Sequence, residues 1–452
     1  MKTIYILGYN INAVITAIIL RDFFGYNADV RIIDLNRKQP KMPAVLESRL
    51  IKLILDLNEI SINDFIKETN AVPIVGSIYK NFLKKGSLNF KTNDSANEDI
   101  LIYKKTLHPK MNAEEEIEYT SKLASHIKNN LIDKDINDNY SFVFDAAKAT
   151  HFLFNKVYKE KLQGRMICCD IKNVVFQENG YIDFLETSVT DGMPLKAGLY
   201  IDCSDDVFKY KTKTPTYNNA YITASFPYKN KKNQITNSKC YIAKDVGYIF
   251  ERCLWNRIEV TYFFNKNLIT SNKAKFIIGD HILKSHRIYF KKFKIEDIVE
   301  TTTDNYYNKD VINFTFHNNY IEPLLDTSLD ILIKKVFKLV DLLKDTIIFS
   351  QVYKNHFNQE CKKIDEEARN RYLVFLSKTE NNYNPYWNKI FEADFATVLD
   401  LKNGVKDIIK HKTFDREYYE KLWEKELIFL DNYNNMTDEL ERTITFMERI
   451  NK

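Results

Sequence analysis

The sequence predicts an α/β protein with a Rossmann-type opening, a strand-rich middle region and a helical C-terminal layer. Three observations carry that expectation: the opening run Lys2-Thr3-Ile4-Tyr5-Ile6-Leu7-Gly8-Tyr9-Asn10-Ile11-Asn12-Ala13, the aromatic strand-like runs between about 164 and 300, and the helical period that begins at Ser328. An apolar strand that passes through a glycine turn into an apolar helix is how a dinucleotide-binding unit begins. The next run, Asp29-Val30-Arg31-Ile32-Ile33-Asp34, ends in an acid where such units grip a ribose. Gly8 and Asp34 are therefore the candidate cofactor-binding residues. The middle and last glycines of the motif are replaced by Asn10 and Ala13. With side chains there, backbone approaches a pyrophosphate less closely and the helix packs less tightly on its strand.

Further along, residues 45–69 read as helical, with Leu50, Leu53, Ile54 and Leu57 on one face and Ser61 placed to cap a second helix. Residues 91–140 are polar and read as loops bracketing a helix near 112–130. From Gly164, runs such as Tyr181-Ile182-Asp183-Phe184-Leu185 and Leu199-Tyr200-Ile201-Asp202-Cys203 read as strands, with Glu178-Asn179-Gly180 as a turn. Tyr241, Tyr248, Phe250, Tyr262, Phe263 and Phe264 suit an antiparallel sheet, where broad side chains pack across strands. After Ser328, the segments 329–340, 358–377, 415–432 and 437–449 all repeat a helical apolar face. The expected division is an interleaved region over 1–327 and a helical region over 328–452.

Composition narrows the function classes. A chain of 452 residues with 44% hydrophobic and 13% aromatic content is globular, and no run is apolar and long enough to span a membrane. The apolar stretch from Ile11 to Leu20 is too short for a span and follows a strand and turn, so no signal peptide is expected and the setting is cytoplasmic unless the chain joins a larger assembly. The 66 basic and 61 acidic side chains nearly cancel, leaving a net charge of +5 and no electrostatic footprint for nucleic acid or an anionic membrane. Six cysteines and eight histidines show no metal-ligand spacing and no disulfide framework, so no metal is expected. Glycine is scarce, 11 residues against an ordinary usage of about 7%. Cofactor enzymes use glycine wherever backbone must touch phosphate or ring, so the scarcity weighs against a cofactor.

Several segments resemble the flavin-dependent tryptophan halogenases. Phe144-Asp145-Ala146-Ala147 resembles the family's Asp-Ala helix entry, and Leu199-Tyr200-Ile201-Asp202-Cys203-Ser204 its Phe-Ile-Asp-Cys-Ser strand. Leu254-Trp255-Asn256-Arg257, Tyr320-Ile321-Glu322-Pro323-Leu324 and Asn384-Pro385-Tyr386-Trp387 follow in the family's order. The resemblance spans most of the chain and implies a Rossmann-type FAD-binding halogenase-like fold. It also implies a chemistry in which a hypohalous acid formed at reduced FAD reaches a lysine and a glutamate beside an indole or phenol. Such an electrophile must be held, activated and relieved of a proton.

Carried over by motif, the family's lysine falls within Asn70-Ala71-Val72-Pro73-Ile74-Val75-Gly76-Ser77-Ile78-Tyr79-Lys80-Asn81-Phe82, where the lysine position holds Ile78. Lys80 lies two residues on, on the same face of an extended strand and about 6.5 Å away. The family's glutamate and halide loop correspond to Glu322-Pro323-Leu324-Leu325-Asp326-Thr327-Ser328, with Leu325 at the carboxylate and Ser328 at a glycine. Leu325 moves no proton, and Asp326 would repel a halide. The family's Gly-Trp-x-Trp-x-Ile-Pro element reads Gly247-Tyr248-Ile249-Phe250-Glu251-Arg252-Cys253. Its Gly-Glu-Ala-Thr loop has no match near Met42 to Ser48, and the glycine expected before Glu322-Pro323 aligns near Thr315. The leading expectation is a halogenase-fold protein without catalytic residues and without a bound cofactor. Its role would be binding or structure, with protein partners in an assembly such as a phage virion, or as a homo-oligomer. The alternative is an active FAD-dependent halogenase or related flavin oxidoreductase using Lys80 with Glu322 or Asp326.

Overall fold

The computed structural model describes residues 2–35, 44–48, 50–74, 76–81, 87–91, 141–188, 194–204, 207–208, 211–213, 218–290, 292–298, 300–302, 305–315, 328–343, 350–377 and 386. In chain order the elements begin β1 (Lys2–Leu7), α1 (Ile11–Phe24), β2 (Ala28–Asp34), β3 (Val45–Ser48), α2 (Ile51–Leu57), α3 (Ile62–Thr69), β4 (Val72–Ile74), β5 (Gly76–Lys80) and β6 (Ser87–Lys91). They continue β7 (Ser141–Asp145), α4 (Ala146–Phe152), a wide-turned π-helix (Leu153–Lys161), β8 (Arg165–Cys168), β9 (Ile171–Phe176), β10 (Ile182–Thr187), β11 (Leu199–Asp202) and β12 (Lys211–Lys213). Then follow β13 (Ala220–Phe226), α5 (Lys231–Gln234), β14 (Ser238–Ala243), β15 (Tyr248–Cys253), β16 (Ile258–Phe264) and α6 (Ser271–His286). The last are β17 (Ile295–Asp297), β18 (Glu300–Thr302), β19 (Tyr307–Asn308), β20 (Val311–Asn313), α7 (Ser328–Leu343) and α8 (Gln351–Ser377).

The chain divides into two interleaved units, one made of 1–71, 144–214 and 299–369, the other of 72–143, 215–298 and 370–452. This division is by contacts, and it groups the helix that starts at Ser328 with the first unit. That helix, α7, buries its face of Leu329, Leu332, Ile333, Val336 and Leu339 and packs on α1.

The first unit is built on a six-stranded sheet in the order β19-β20-β11-β1-β2-β8, parallel throughout except for the β19–β20 pair. Strands buried on both faces by helices read as continuous apolar runs, which is what Ile4 to Leu7 and Ile32-Ile33 are. Helix α1 is buried over nearly its whole length, from Ile11 to Leu20, so its pattern is apolar all round rather than one-sided. Residues 45–48 form a strand, not the expected helix; all four side chains are buried, and helical spacing begins only at Ile51. Ser61 does cap α3, its hydroxyl accepting from the Asp64 amide at 3.4 Å.

The second unit holds a seven-stranded sheet, order β17-β13-β16-β15-β14-β5-β6, antiparallel except between β14 and β5. The aromatics expected there pair across strands. Tyr241 faces Phe250 in register and stacks on it at 4.4 Å, and Tyr248 faces Phe263 at 5.3 Å. Helix α6 covers one face, laying Ala274, Ile278 and Ile282 on Ile222, Ile249, Val260 and Tyr262. On adjacent strands Arg252 and Glu259 face each other in register and form a buried ion pair at 2.6 Å.

Segments 92–140 and 391–452, with the helices expected there, lie outside the described residues. Among the described residues no helix is long and apolar enough to cross a membrane.

Gly247 closes the β14–β15 hairpin at φ +86°, and a Cβ there would collide with the Phe263 carbonyl. Gly247→Ala combines a strained φ with that overlap and should destabilise by about 2–4 kcal/mol, read as a lower urea midpoint. An unchanged midpoint would show that this hairpin is not held as tightly as described.

Candidate functional site

The C-terminal ends of β1, β11 and β20, where the sheet's connections reverse direction, are the place such a fold offers a ligand. There Gly8 leaves β1 at φ +108°, its amide donating to the Ile33 carbonyl at 2.9 Å. A Cβ on Gly8 would stand 3.3 Å from Ser204 Cα, so both the backbone angle and the close approach call for glycine.

Asn10 has ordinary extended backbone, φ −142° and ψ 178°, rather than the left-handed conformation asparagine tolerates. What it adds is a side chain. Its Oδ1 accepts from the Ala13 amide at 3.0 Å and caps α1, while its Nδ2 donates to the Cys203 carbonyl at 2.7 Å. The residue is 1% exposed. Asn12 adds a third tie, Nδ2 donating to the Phe314 carbonyl at 3.3 Å. First-turn amides are the donors a helix offers an anion. Here the Ala13 amide is already taken.

Around this turn Asp202 and Thr315 also carry filled bonds. Asp202, fully buried, accepts from the Ser204 amide at 2.9 Å and its hydroxyl at 2.6 Å. Thr315, where a glycine would admit a ligand, is fully buried and donates its hydroxyl to Asn313 Oδ1 at 2.8 Å. The Asn313 Nδ2 is buried without a hydrogen-bond partner. Asp34 stands at the end of β2 as expected, beside Cys168 in register on β8. Burial, with Asp34 and Cys168 nearby, raises the Tyr9 hydroxyl above its ordinary range, and the Tyr9 ring meets Phe154 edge-on at 5.2 Å.

In the second unit, β5 places Ile78 half-buried opposite Cys240 on β14, and Lys80 exposed opposite Ile242. Burial pushes the Cys240 thiol up to about 11 although the Lys80 ammonium beside it pulls down. Ile78, the residue at the motif's lysine position by sequence, thus faces β14 as an apolar side chain. Glu322 to Thr327, with Leu325 and Asp326, lie outside the described residues, as do Asn384, Pro385 and Trp387; Tyr386 is buried and donates to Asn218 Oδ1 at 2.9 Å.

The same unit brings together three residues that sequence spacing does not connect. Glu251 of β15 lies between His281 and His286 of α6, with His281 Nε2 3.0 Å from Glu251 Oε2 and His286 Nε2 3.1 Å from Glu251 Oε1. Burial pushes the Glu251 carboxyl up, but the two imidazoles outweigh it and hold the group down to about 2. The one signal in the sequence was Glu251 itself, an acid between Ile249 and Cys253 on a core-facing period of two. Its partners, 30 and 35 residues on, could be found only through the fold.

Asn10→Ala removes both the helix cap and the tie to β11. It should cost about 1–2 kcal/mol in chemical denaturation with the fold retained by circular dichroism. No loss of stability would mean the carboxamide does not hold the turn.

Similarity to known proteins adds to this geometry. The family model described as tryptophan halogenase matches residues 3–427. No curated protein sequence matches. Among solved structures, a tryptophan halogenase from Shewanella frigidimarina superposes with a TM-score of 0.79 at 14% identity, over 100% of this chain and 94% of that one. The apo structure of VirX1 gives 0.76 at 15% identity, over 100% and 97%. The tryptophan 6-halogenase SttH from Streptomyces toxytricini gives 0.74 at 14% identity, over 86% and 81%. The strand order, the Gly8 turn and the family match along almost the whole sequence agree: this chain belongs to the tryptophan halogenase family.

Proposed function

We propose that this family member does not bind FAD and does not halogenate, and that it acts through protein contacts as a binding or structural component. The observation that carries the proposal is Asn10, whose side chain occupies the α1 amide and the β11 carbonyl at the turn where a pyrophosphate would lie. FAD fits that turn poorly. A phosphate could take over the Ala13 amide, but it would have to displace a buried carboxamide and leave the Cys203 carbonyl without its donor, at a cost of about 1–3 kcal/mol.

Other substitutions point the same way. Ile78 offers no amine, and Thr315 brings a bonded side chain to a position that flavin contact would keep bare. In sequence, Leu325 and Asp326 replace the carboxylate and the halide loop. Loss at one position is compatible with activity, whereas joint loss at the phosphate turn, the lysine, the carboxylate and the halide loop leaves the reaction without the groups it uses. The natural setting for such a scaffold is an assembly, such as a phage particle, or a homo-oligomer. An Asn-, Lys- and Ile-rich composition suits a phage source.

A second reading has an observation of its own. Gly8 keeps the positive φ of a phosphate turn and Asp34 keeps the ribose position, the two features that an FAD-dependent halogenase or related flavin oxidoreductase acting on an indole or phenol would need. An FAD titration of the purified chain, followed by flavin fluorescence and calorimetry, separates the two. The expected result is no saturable binding up to high micromolar FAD. Saturable micromolar binding would overturn the proposal and favour the enzyme.

A further inference from the structure

Glu251 is an acid built into an apolar face. On β15 it alternates with Ile249 and Cys253, both part of the core beneath α6, while Arg252 points to the other side of the sheet and pairs with Glu259. A carboxylate in such a place is costly unless it is paired. Two imidazoles meet it from α6, each with a side chain only 8% exposed, and the three ligand atoms lie within 4.8 Å of one another.

The details favour more than a hydrogen-bonded trio. His286 Nε2 stands 3.1 Å from Glu251 Oε1 yet is not in hydrogen-bonding geometry with it, and it is buried with no other hydrogen-bond partner. A nitrogen held near a carboxylate but off its hydrogen-bonding direction leaves both atoms able to face a shared cation. His281 has its other ring nitrogen, Nδ1, 3.4 Å from the Ser285 hydroxyl. If that hydroxyl accepts the Nδ1 proton, the Nε2 lone pair is free for a metal, the second-sphere arrangement common to metal-bound histidines. His286 ends α6, and the chain turns left-handed at Arg287.

We propose that Glu251, His281 and His286 form a zinc site. Two imidazoles and one carboxylate are a donor set suited to Zn2+, and separations of 3.0 and 3.1 Å lie close to the roughly 3.3 Å between ligands of a tetrahedral ion. Small rotamer adjustments would seat it. The Glu251 side chain is 21% exposed, which leaves a fourth position open to water. The ion would fasten the end of α6 to β15. Cys240 lies in register between Glu251 and Ile78, so the site shares its sheet with the family's lysine position, but none of its three ligands is a flavin or lysine position and its zinc binding does not depend on whether the chain binds FAD.

The test uses the full chain, stripped with EDTA and titrated with ZnCl2 by calorimetry, with CoCl2 as a spectroscopic reporter. The expected result is saturable uptake of one Zn2+ per chain, visible Co2+ bands of a four-coordinate site, and a rise in the melting temperature on adding Zn2+. His286→Gln and the double variant His281→Gln/His286→Gln should weaken Zn2+ binding by about tenfold or more, while His151→Ala, an exposed histidine on α4, should not. Should the double variant fail to fold, Glu251→Gln gives the same reading with the histidines intact. Absence of stoichiometric Zn2+ uptake by the wild-type chain would overturn the proposal, as would equal binding by folded site variants.

Discussion

The carboxamide of Asn10 joins the first turn of α1 to the end of β11, and the rest of the first unit is arranged around that joint. Gly8 turns the chain out of β1 in a conformation that needs glycine, and Asn10 then spends both its acceptor and its donor on neighbours less than 3.1 Å away. With Asn12 reaching the Phe314 carbonyl, three strand ends are tied to one helix terminus. In a dinucleotide-binding unit the same place is left bare so that a phosphate can complete it. Here the protein supplies its own ligand. A turn that is internally satisfied gains stability from the cap and loses the reason to bind an anion, so structure and proposed loss of function follow from one substitution.

The second unit shows a different constraint. Its sheet is stacked with aromatic pairs and covered by α6, and three charges placed inside it, Arg252, Glu259 and Glu251, have partners. Arg252 and Glu259 neutralise each other across neighbouring strands on one face, and Glu251 meets two histidines on the other. Removing one partner of such a group would leave an uncompensated buried charge, which costs far more than the pair itself contributes.

Much of the fold was legible in the sequence. The β1–α1–β2 opening, the Gly180 turn, the aromatic sheet and the helix at Ser328 all follow from local period and turn residues. The strand at 45–48 did not, because four buried residues in a row carry neither a period of two nor one of 3.6. The grouping of α7 with the first unit was also hidden, since sequence gives the apolar face of a helix but not the surface it covers. At the candidate site, the glycine turn after β1 and the acid ending β2 were both legible as local features. The role of Asn10 was legible only as a missing glycine; that its side chain would fill the turn required the position of Cys203, 193 residues away. The cluster at Glu251 was invisible for the same reason, as its members meet only when β15 and α6 pack.

The central claim, that this family fold has been retained without its reaction, is tested most directly by a halogenation assay. The purified chain would be supplied with reduced FAD, oxygen, and chloride, bromide or iodide, and a panel of indoles and phenols would be screened by mass spectrometry. The account predicts no halogenated product above a protein-free control. Product that depends on the protein and on the halide would contradict it.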